Sequence, residues 1–245
     1  MGESIHNRDS RAFDDRTILS QRIALVQPFS LFSGISAGDC ADVVSAAHER
    51  YFSRRETILR EGDPVQQISL LTSGWVKITQ FGQNGSEVIL RLSGPGELLG
   101  ALGLCSGGTH CSTAQALQSS KALVWETAFF ESTLERFPIL RRNIGRILGK
   151  CLLDLEDRFR EMSTKKVAPR LGSQLVRLLN QIGRTVNGDV EISLSREELA
   201  QLTGMTLFTV SRLICQWEQQ GIVAARRKAV LVRNLPALIE LSETD

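Results

Sequence analysis

The chain has 245 residues, of which 42% are hydrophobic and 23% are charged. This length suits one large domain or two modest ones, and the composition is that of an ordinary globular protein, which excludes wholesale disorder and collagen-like or fibrous repeats. The 29 basic and 27 acidic residues leave a net charge of only +2, so bulk charge does not by itself indicate a nucleic-acid partner.

Targeting signals and cysteine frameworks are also missing from the sequence. Charged residues or Gln interrupt every apolar run within about ten residues, which predicts no membrane-spanning helix. The N-terminus stays polar through Arg16 and has no apolar core of a secretory signal. The five cysteines are scattered and contain no CxxC spacing, which argues against a disulfide framework and a zinc ribbon. We therefore expect a cytoplasmic protein.

The first half of the chain has the pattern of an antiparallel β-domain. Residues 1–27 form a polar tail with a short apolar patch that we expect to dock as a helical turn. Residues 28–138 begin with a short helix and continue as runs of Val, Ile and Leu, separated by turns such as Gly62-Asp63-Pro64 and Gln83-Asn84-Gly85. Strands at about ten-residue spacing with glycine turns predict a closed or rolled antiparallel sheet.

A long helix over residues 139–166 follows this domain. Apolar residues recur along it with the alternating spacing of a heptad seam, at Leu148, Leu152, Leu155, Phe159 and Met162. The opposite side is also apolar, at Leu140, Ile144, Ile147 and Cys151. We expect that side to pack on the β-domain and the seam to pair with a second copy of the chain across a two-fold axis; burial of the seam against its own domain is the alternative.

Residues 167–245 contain the most specific motif. Ser195 and Glu198 have the spacing of a capping box that begins a helix. Ala200 is small where two helices approach closely, Gly204 supplies a tight turn, and a second helix is expected to begin near Thr206. This pattern predicts a helix-turn-helix whose second helix enters a DNA major groove, whereas a helical hairpin with no ligand is the plainer interpretation.

The segment after the second helix predicts a basic β-hairpin wing. Two short apolar runs flank Arg226-Arg227-Lys228, and residues 168–239 carry nine Arg or Lys against five Asp or Glu. A basic wing tip suits contact with phosphates, which supply affinity and salt dependence.

Each side chain of the motif has an expected role on DNA. Thr206 and Thr209 bond phosphates, while Ser211 and Arg212 reach base edges, because Arg on guanine is the commonest specific contact. Leu207 and Phe208 either contact thymine methyl groups or are incidentally exposed. The expected DNA-binding residues are Arg196, Thr206, Leu207, Phe208, Thr209, Ser211, Arg212, Arg226, Arg227 and Lys228.

The order of these segments, with Gly62, Gly74, Gly96-Glu97-Leu98-Leu99-Gly100 and Thr209-Val210-Ser211-Arg212 in place, resembles the CRP/FNR family of bacterial transcription regulators over residues 28–235. The resemblance implies an α+β chain with an N-terminal antiparallel β-roll of the cyclic-nucleotide-binding, jelly-roll type, a long dimerisation helix and a C-terminal winged helix-turn-helix. It further implies an effector-responsive homodimer that binds a near-palindromic duplex operator, with RNA polymerase as a further partner.

The resemblance also locates an effector segment, in which this chain departs from the family. The expected segment comprises Gly96, Glu97, Leu98, Gly100, Ala101, Cys111 and Ser112. Where cyclic-nucleotide-binding members have a Glu and an Arg on ribose and phosphate, this chain has Ala101 and Cys111, and Asp154-Leu155 replaces the Thr-Ser pair that faces adenine. Loss of a charge-assisted bond to phosphate argues against cyclic AMP as effector.

Known metal and haem patterns of the family are also missing. Residues 1–39 contain no cysteine, which argues against an FNR-type iron-sulfur cluster, and the Cys and His of the haem branch would fall near Gly100 and Leu102. Cys105, His110 and Cys111 remain as weak candidates: they are metal or haem ligands, an oxidation-sensitive thiol pair, or buried core residues without a further role. The cofactor therefore stays unassigned.

Two further predictions concern the operator sequence and whether the protein is an enzyme. Phe208 stands where the family commonly has Glu, so the operator is expected to differ from the common one. An enzyme is disfavoured, because the three histidines and the absence of GxSxG, HExxH and phosphate-loop motifs offer no catalytic constellation. A ligand-binding β-roll protein that acts by protein contact, without DNA binding, is the other alternative.

Overall fold

The computed structural model describes residues 17–243. The start of the predicted polar tail, residues 1–16, lies outside the described residues. By their internal contacts the described residues divide into two compact units. The first contains the chain through Ile78 together with Ser93–Cys151, and the second contains Thr79–Leu92 together with the chain from Leu152 onward.

The elements alternate between strands and helices along the chain. The strands are β1 (His48–Phe52), β2 (Thr57–Leu59), β3 (Gln67–Ser73), β4 (Val76–Phe81), β5 (Glu87–Ser93), β6 (Leu98–Leu99), β7 (Thr113–Ala116), β8 (Ser120–Glu126), β9 (Arg184–Val186), β10 (Asp189–Ile192), β11 (Val223–Arg226) and β12 (Ala229–Val232). The helices are α1 over residues 17–26, α2 (Ala37–Ser45), α3 (Ala101–Cys105), α4 (Thr127–Arg136), α5 (Pro138–Thr164), α6 (Val167–Ile182), α7 (Arg196–Thr203), α8 (Leu207–Gln219) and α9 (Leu235–Glu243), with a short 3₁₀ turn at Ser30–Phe32.

The predicted rolled β-domain is confirmed as two four-stranded sheets. One has the strand order β1-β8-β3-β6 and the other β2-β7-β4-β5, with antiparallel pairing of β1 with β8, β3 with β8, β3 with β6 and β2 with β7. Glycine turns with positive φ separate several strands. Gly74 has φ +87°, and a Cβ atom there would lie 2.2 Å from the Ser120 hydroxyl, so the close approach of the two strands requires glycine.

Three strands of the β1-β8-β3-β6 sheet, β3, β6 and β8, are largely buried on both faces, whereas β1 is mostly exposed. One face packs against helices and contributes to a core that includes side chains of α2, α4 and α5, called here the helix-side core. The residues of the sheet in this core are Ile68, Leu70, Leu98, Leu123 and Trp125. The other face contributes Leu71, Leu99, Ala122 and Val124 to a second core, shared with Val76, Ile78, Ala114 and Ala116 of the facing sheet. Alternate residues of one strand therefore serve two different cores, as the two-residue period of a strand requires.

Helix α5 begins within one residue of its predicted start and has two differently buried halves. In its first half, Leu140 and Ile144 are buried in the helix-side core, and the Asn143 side-chain amide donates hydrogen bonds to the backbone oxygens of Leu31 and Ser33, each at 2.8 Å. The second half carries the predicted seam, and four of its members are 45% to 71% exposed in the single chain: Leu152, Leu155, Phe159 and Met162. Leu148 differs from them because it is partly buried against the helix-side core.

The second unit contains the predicted winged helix-turn-helix. Helices α6 and α9 pack together, and a four-stranded antiparallel sheet has the order β11-β12-β10-β9. The structure bears out the capping box at the start of α7: the Glu198 N–H donates to the Ser195 hydroxyl at 3.2 Å, and the Ser195 N–H donates to the Glu198 carboxylate at 2.7 Å. Gly204 ends α7 in the left-handed conformation, with φ +63°, and Thr206 caps α8.

Replacement of Ser195 by Ala is expected to lower the free energy of unfolding by about 1 kcal/mol, because the backbone N–H of Glu198 loses its acceptor. Equilibrium unfolding in urea measures this difference. Ser193→Ala is the matched control: Ser193 is exposed and its hydroxyl donates to the Glu191 carboxylate, so its loss is expected to change stability by less than about 0.5 kcal/mol. Equal effects of the two variants would contradict a stabilising role of the capping box.

Candidate nucleic-acid interface

Helix α8 presents two chemically different faces. Val210, Leu213, Ile214 and Trp217 are buried, each at 3% exposure or less. Phe208, Ser211, Arg212 and Cys215 follow the spacing of three and four residues that places side chains on one helix face, and three of them are exposed while Ser211 is half-buried. The predicted base-contacting residues therefore share the solvent-facing side of one helix.

The two threonines at the start of α8 bond each other. Thr206 is the N-cap, whose hydroxyl accepts a hydrogen bond from the Thr209 N–H at 3.1 Å, and the two hydroxyl oxygens lie 2.9 Å apart. Their mutual bond uses one of the two hydroxyl protons, so one proton is left to donate outward. The pair can offer a single hydroxyl donor to a phosphate, in addition to the backbone N–H groups of the first helical turn.

Arg212 lies one turn beyond Phe208 on the outward face of α8. It is exposed, and within residues 17–243 no acidic side chain forms an ion pair with it. An exposed guanidinium without an internal carboxylate partner retains its fork of donors for an external acceptor.

The wing is a tight hairpin of β11 and β12 with a basic tip. Arg226 lies opposite Ala229 in the register, so Arg227 and Lys228 form the two-residue turn. Arg226 had been expected to act with these two at the tip, but its guanidinium is 3.2 Å from the carboxylate of Glu191 in β10. The two exposed cations at the tip itself are Arg227 and Lys228.

Two acidic residues that the sequence analysis did not single out position the wing. Glu191 pairs with Arg226 across the sheet, and the Glu218 carboxylate accepts a hydrogen bond from the Ala225 N–H at 2.8 Å, which joins α8 to β11. No local sequence signal identifies these contacts, because they depend on the register of strands distant in sequence.

A cleft of about 420 Å³ lies between the starts of α7 and α8 and strand β11. Arg196, Leu207, Arg226 and Arg227 line it, together with Ser195, Glu197 and Ala225. The structure thus brings four of the ten predicted residues, one from α7, one from α8 and two from the wing, to one cleft. Three of the four are arginines, and the fourth, Leu207, is an exposed apolar side chain.

The expected effector segment is not brought together as one lining. Leu98 and Ala101 are buried in the helix-side core, at 5% and 2% exposure, so they are packing residues there. Glu97 accepts a hydrogen bond from the Gly94 N–H at 3.4 Å within its own turn. Gly96 and Gly100 have positive φ, while Cys111 and Ser112 are half-buried. The stretch from Gly100 to Ser112 contains no Asp, Glu, Lys or Arg.

The three weak ligand candidates do not form a metal site. Within residues 17–243, no three His, Cys, Asp or Glu side chains lie close enough to hold a metal ion. The interpretation of the cysteines as buried core residues is wrong for Cys105, which is exposed at the end of α3. Cys111 is half-buried, and its sulfur lies 3.1 Å from the Ser106 hydroxyl.

His110 is the buried member of the three, at 8% exposure. Burial lowers the pKa of its imidazole, against an opposing influence of the Asp63 carboxylate. The backbone on either side is fixed, since the His110 N–H donates to the Asp63 carbonyl at 2.9 Å and the His110 carbonyl accepts from the Gly62 N–H at 2.8 Å. The neutral imidazole is therefore part of the folded turn.

Comparison with known proteins finds one domain family in the first half of the chain and another in the second half. The family model of the cyclic nucleotide-binding domain matches residues 49–137, and that of the Crp-like helix-turn-helix domain matches residues 169–241. The chain belongs to the CRP/FNR family of transcription regulators. It contains both domains that define CRP/FNR regulators, in the predicted order.

Individual CRP/FNR relatives match most of the chain. The CRP-like cAMP-activated global transcriptional regulator of Mycobacterium tuberculosis is 24% identical over 206 residues, covering 83% of this chain and 92% of that protein. The cyclic AMP receptor protein of Thermus thermophilus is 26% identical over 213 residues, covering 86% and 96%. The structure of the c-di-GMP-responsive regulator CLP of Xanthomonas campestris has a TM-score of 0.71 at 24% identity, covering 80% and 99%, which shows the shared fold.

The described residues also contain no helix that is both long enough and apolar enough to span a membrane.

Replacement of His110 by Gln is expected to flatten the loss of stability on acidification. Because burial lowers the imidazole pKa below its ordinary value of 6.5, the unfolded chain binds a proton that the folded chain resists, and stability falls as pH drops below that value. The free energy of unfolding at pH 7 and pH 5 measures the slope.

His48→Gln is the matched control, because His48 is exposed in β1. It should leave the slope of the wild-type protein unchanged. An identical slope in the His110→Gln variant and the wild-type protein would contradict the assignment.

Proposed function

We propose that this CRP/FNR chain is a cytoplasmic, effector-responsive homodimer that binds a near-palindromic DNA operator through α8 and the β11–β12 wing, with RNA polymerase as a further partner. The observation that carries the proposal is the outward face of α8, which carries Phe208, Ser211 and Arg212, while the first residue of this helix, Leu207, lines a cleft with Arg226 and Arg227 of the wing. The proposal includes no enzymatic activity.

Electrostatics support duplex DNA as the ligand of this surface. Although the whole chain has a net charge of only +2, Arg212, Arg227 and Lys228 are all exposed in one unit, and Arg196 lines the adjoining cleft. Phosphate contacts by such cations release counterions, so binding should weaken steeply with salt. We assign Arg227 and Lys228 to phosphate, together with the outward hydroxyl proton of Thr206 and Thr209.

Base recognition is assigned to the middle of α8. Arg212 has the exposure and the free donor fork needed for bidentate contact with guanine O6 and N7, and Ser211 lies next to it on the same face. Burial of the opposite face of α8 limits the rotation of the helix and so fixes which side chains face the bases.

The exposed part of the α5 seam supports the homodimer. Leu152, Leu155, Phe159 and Met162 repeat with heptad spacing and remain exposed in the single chain, at a cost that pairing with a second copy would remove. We retain the division into a tail over residues 1–27, a sensor over 28–138, a dimer helix over 139–166 and a DNA-binding domain over 167–245 as part of this proposal.

The sequence disfavours two kinds of effector, a cyclic nucleotide such as cyclic AMP and an FNR-type iron-sulfur cluster. Relatives include a cAMP-activated and a c-di-GMP-responsive regulator. In this chain the uncharged stretch from Gly100 to Ser112 offers no Arg to a cyclic phosphate. The lack of cysteine in residues 1–39 argues in the same way against an FNR-type iron-sulfur cluster.

Two arginine substitutions test the proposed function. Against a duplex selected by the wild-type protein from a random pool, Arg212→Ala should cost about 1–3 kcal/mol of binding free energy and relax the preference at one base pair of each half-site. Arg227→Ala should weaken binding to all sequences alike and reduce the salt slope by about one unit per protomer, about two for the homodimer. Fluorescence anisotropy over a salt series measures both effects.

The contrast between the two variants makes the test informative. DNA recognition by this surface would be refuted if the DNA affinity of the wild-type protein did not depend on salt or did not depend on the DNA sequence. Unchanged preference in the Arg212→Ala variant would remove Arg212 from the base-contacting set while leaving the wing assignment in place.

Replacement of Leu155 by Arg tests the homodimer. The charge would be buried in the proposed seam, so light scattering should report the mass of a monomer. Leu153→Arg is the matched control: Leu153 is 64% exposed but lies outside the heptad positions of the seam, and this variant should remain dimeric. A dimeric Leu155→Arg protein would exclude the seam as the interface.

A further inference from the structure

Phe208 is an unusual residue for its position. Its side chain is 77% exposed, the largest value among the exposed large apolar residues in the described part of the chain, and it lies in the first turn of α8. Within residues 17–243 no aromatic or cationic side chain packs on its ring. Exposure of a phenyl ring is unfavourable in water, so a bound partner that covers it would gain the free energy of burying apolar area.

The surroundings of Phe208 identify the partner by charge. Arg212 lies one turn away from Phe208 on the same face of α8. The preceding residue, Leu207, lines the cleft that also contains Arg196, Arg226 and Arg227. A surface with an exposed apolar side chain among several cations fits a polyanion that presents apolar groups between its charges. In the DNA major groove, the apolar group at the base edges is the C5-methyl of thymine.

We infer that Phe208 is a specificity-determining residue that packs on the methyl group of a thymine in each half-site of the operator. This inference rests on the proposed function and deepens it by naming a base. Phe208 and Arg212 are separated by one helical turn of about 5.4 Å, whereas stacked base pairs are about 3.4 Å apart. The thymine therefore lies within two base pairs of the guanine that Arg212 contacts.

Leu207 provides a neighbouring apolar side chain with a different location. It is 51% exposed and lines the cleft between α7, α8 and β11, beside Arg226 and Arg227. Adjacent residues on a helix point about 100° apart, so Leu207 and Phe208 cannot face the same base edge. Leu207 therefore serves as a matched control for loss of apolar area at the start of α8.

Removal of single methyl groups from the DNA tests the inference. The wild-type protein first selects its duplex from a random pool, and each thymine of one half-site is then replaced by deoxyuridine, which lacks only the methyl group. Affinity should fall about fourfold at one thymine within two base pairs of the Arg212-dependent guanine, as expected for the burial of one methyl group. The other thymines should show smaller effects.

A double-mutant cycle assigns the methyl contact to Phe208. Phe208→Ala should weaken binding of the thymine duplex at least fourfold and should no longer distinguish thymine from deoxyuridine at that position. Leu207→Ala should retain the fourfold difference. Circular dichroism and the urea midpoint should be the same for both variants, because both side chains are exposed.

The outcomes separate this inference from the proposed function. Salt-dependent, sequence-selective binding that is indifferent to every methyl group, or a fourfold methyl effect that persists in Phe208→Ala, would overturn the role of Phe208 and leave DNA recognition intact. Unchanged DNA affinity of Phe208→Ala would likewise overturn the role of Phe208. Failure of the wild-type chain to bind any duplex would refute both proposals.

Discussion

The side chains of Val210, Leu213, Ile214 and Trp217 are almost inaccessible to water, and their burial fixes the rotation of α8 about its own axis. Rotation of the helix by one residue position would expose part of this apolar set and bury the Arg212 guanidinium without a partner, which is costly. The outward placement of Phe208, Ser211 and Arg212 follows from that constraint, because a helix with one buried face has only one face to present.

Other contacts hold the elements around α8. The capping box at Ser195 and the N-cap at Thr206 determine where α7 and α8 begin. The Glu218 carboxylate joins α8 to β11, and the Glu191 carboxylate holds Arg226 on the sheet. These bonds engage backbone and side-chain groups that would otherwise vary in position, so the wing tip is presented at a defined distance from the helix. Preorganisation of this kind reduces the conformational entropy lost on binding.

In the β-roll, burial removes two residues of the expected effector segment from the protein surface, whereas in α8 it keeps the expected DNA-binding residues at the surface. Because strand β6 is covered on both faces, Leu98 is buried in the helix-side core while its neighbour Leu99 is buried between the sheets. Ala101 is also part of the helix-side core. Leu98 and Ala101, both expected to contact an effector, therefore act in packing. The segment that follows them has no charged side chain to pair with a phosphate.

The sequence by itself determined the order of the domains, the long helix α5, and the position of the capping box and turn glycine, because these depend on local propensity and spacing. It also predicted that α8 begins near Thr206. Only the tertiary structure decided that Arg226 pairs with Glu191, that Thr206 and Thr209 bond each other, that Cys105 is exposed, and that Leu148 is partly buried. Those outcomes depend on strand register and on which faces pack together, and residues distant in sequence set both.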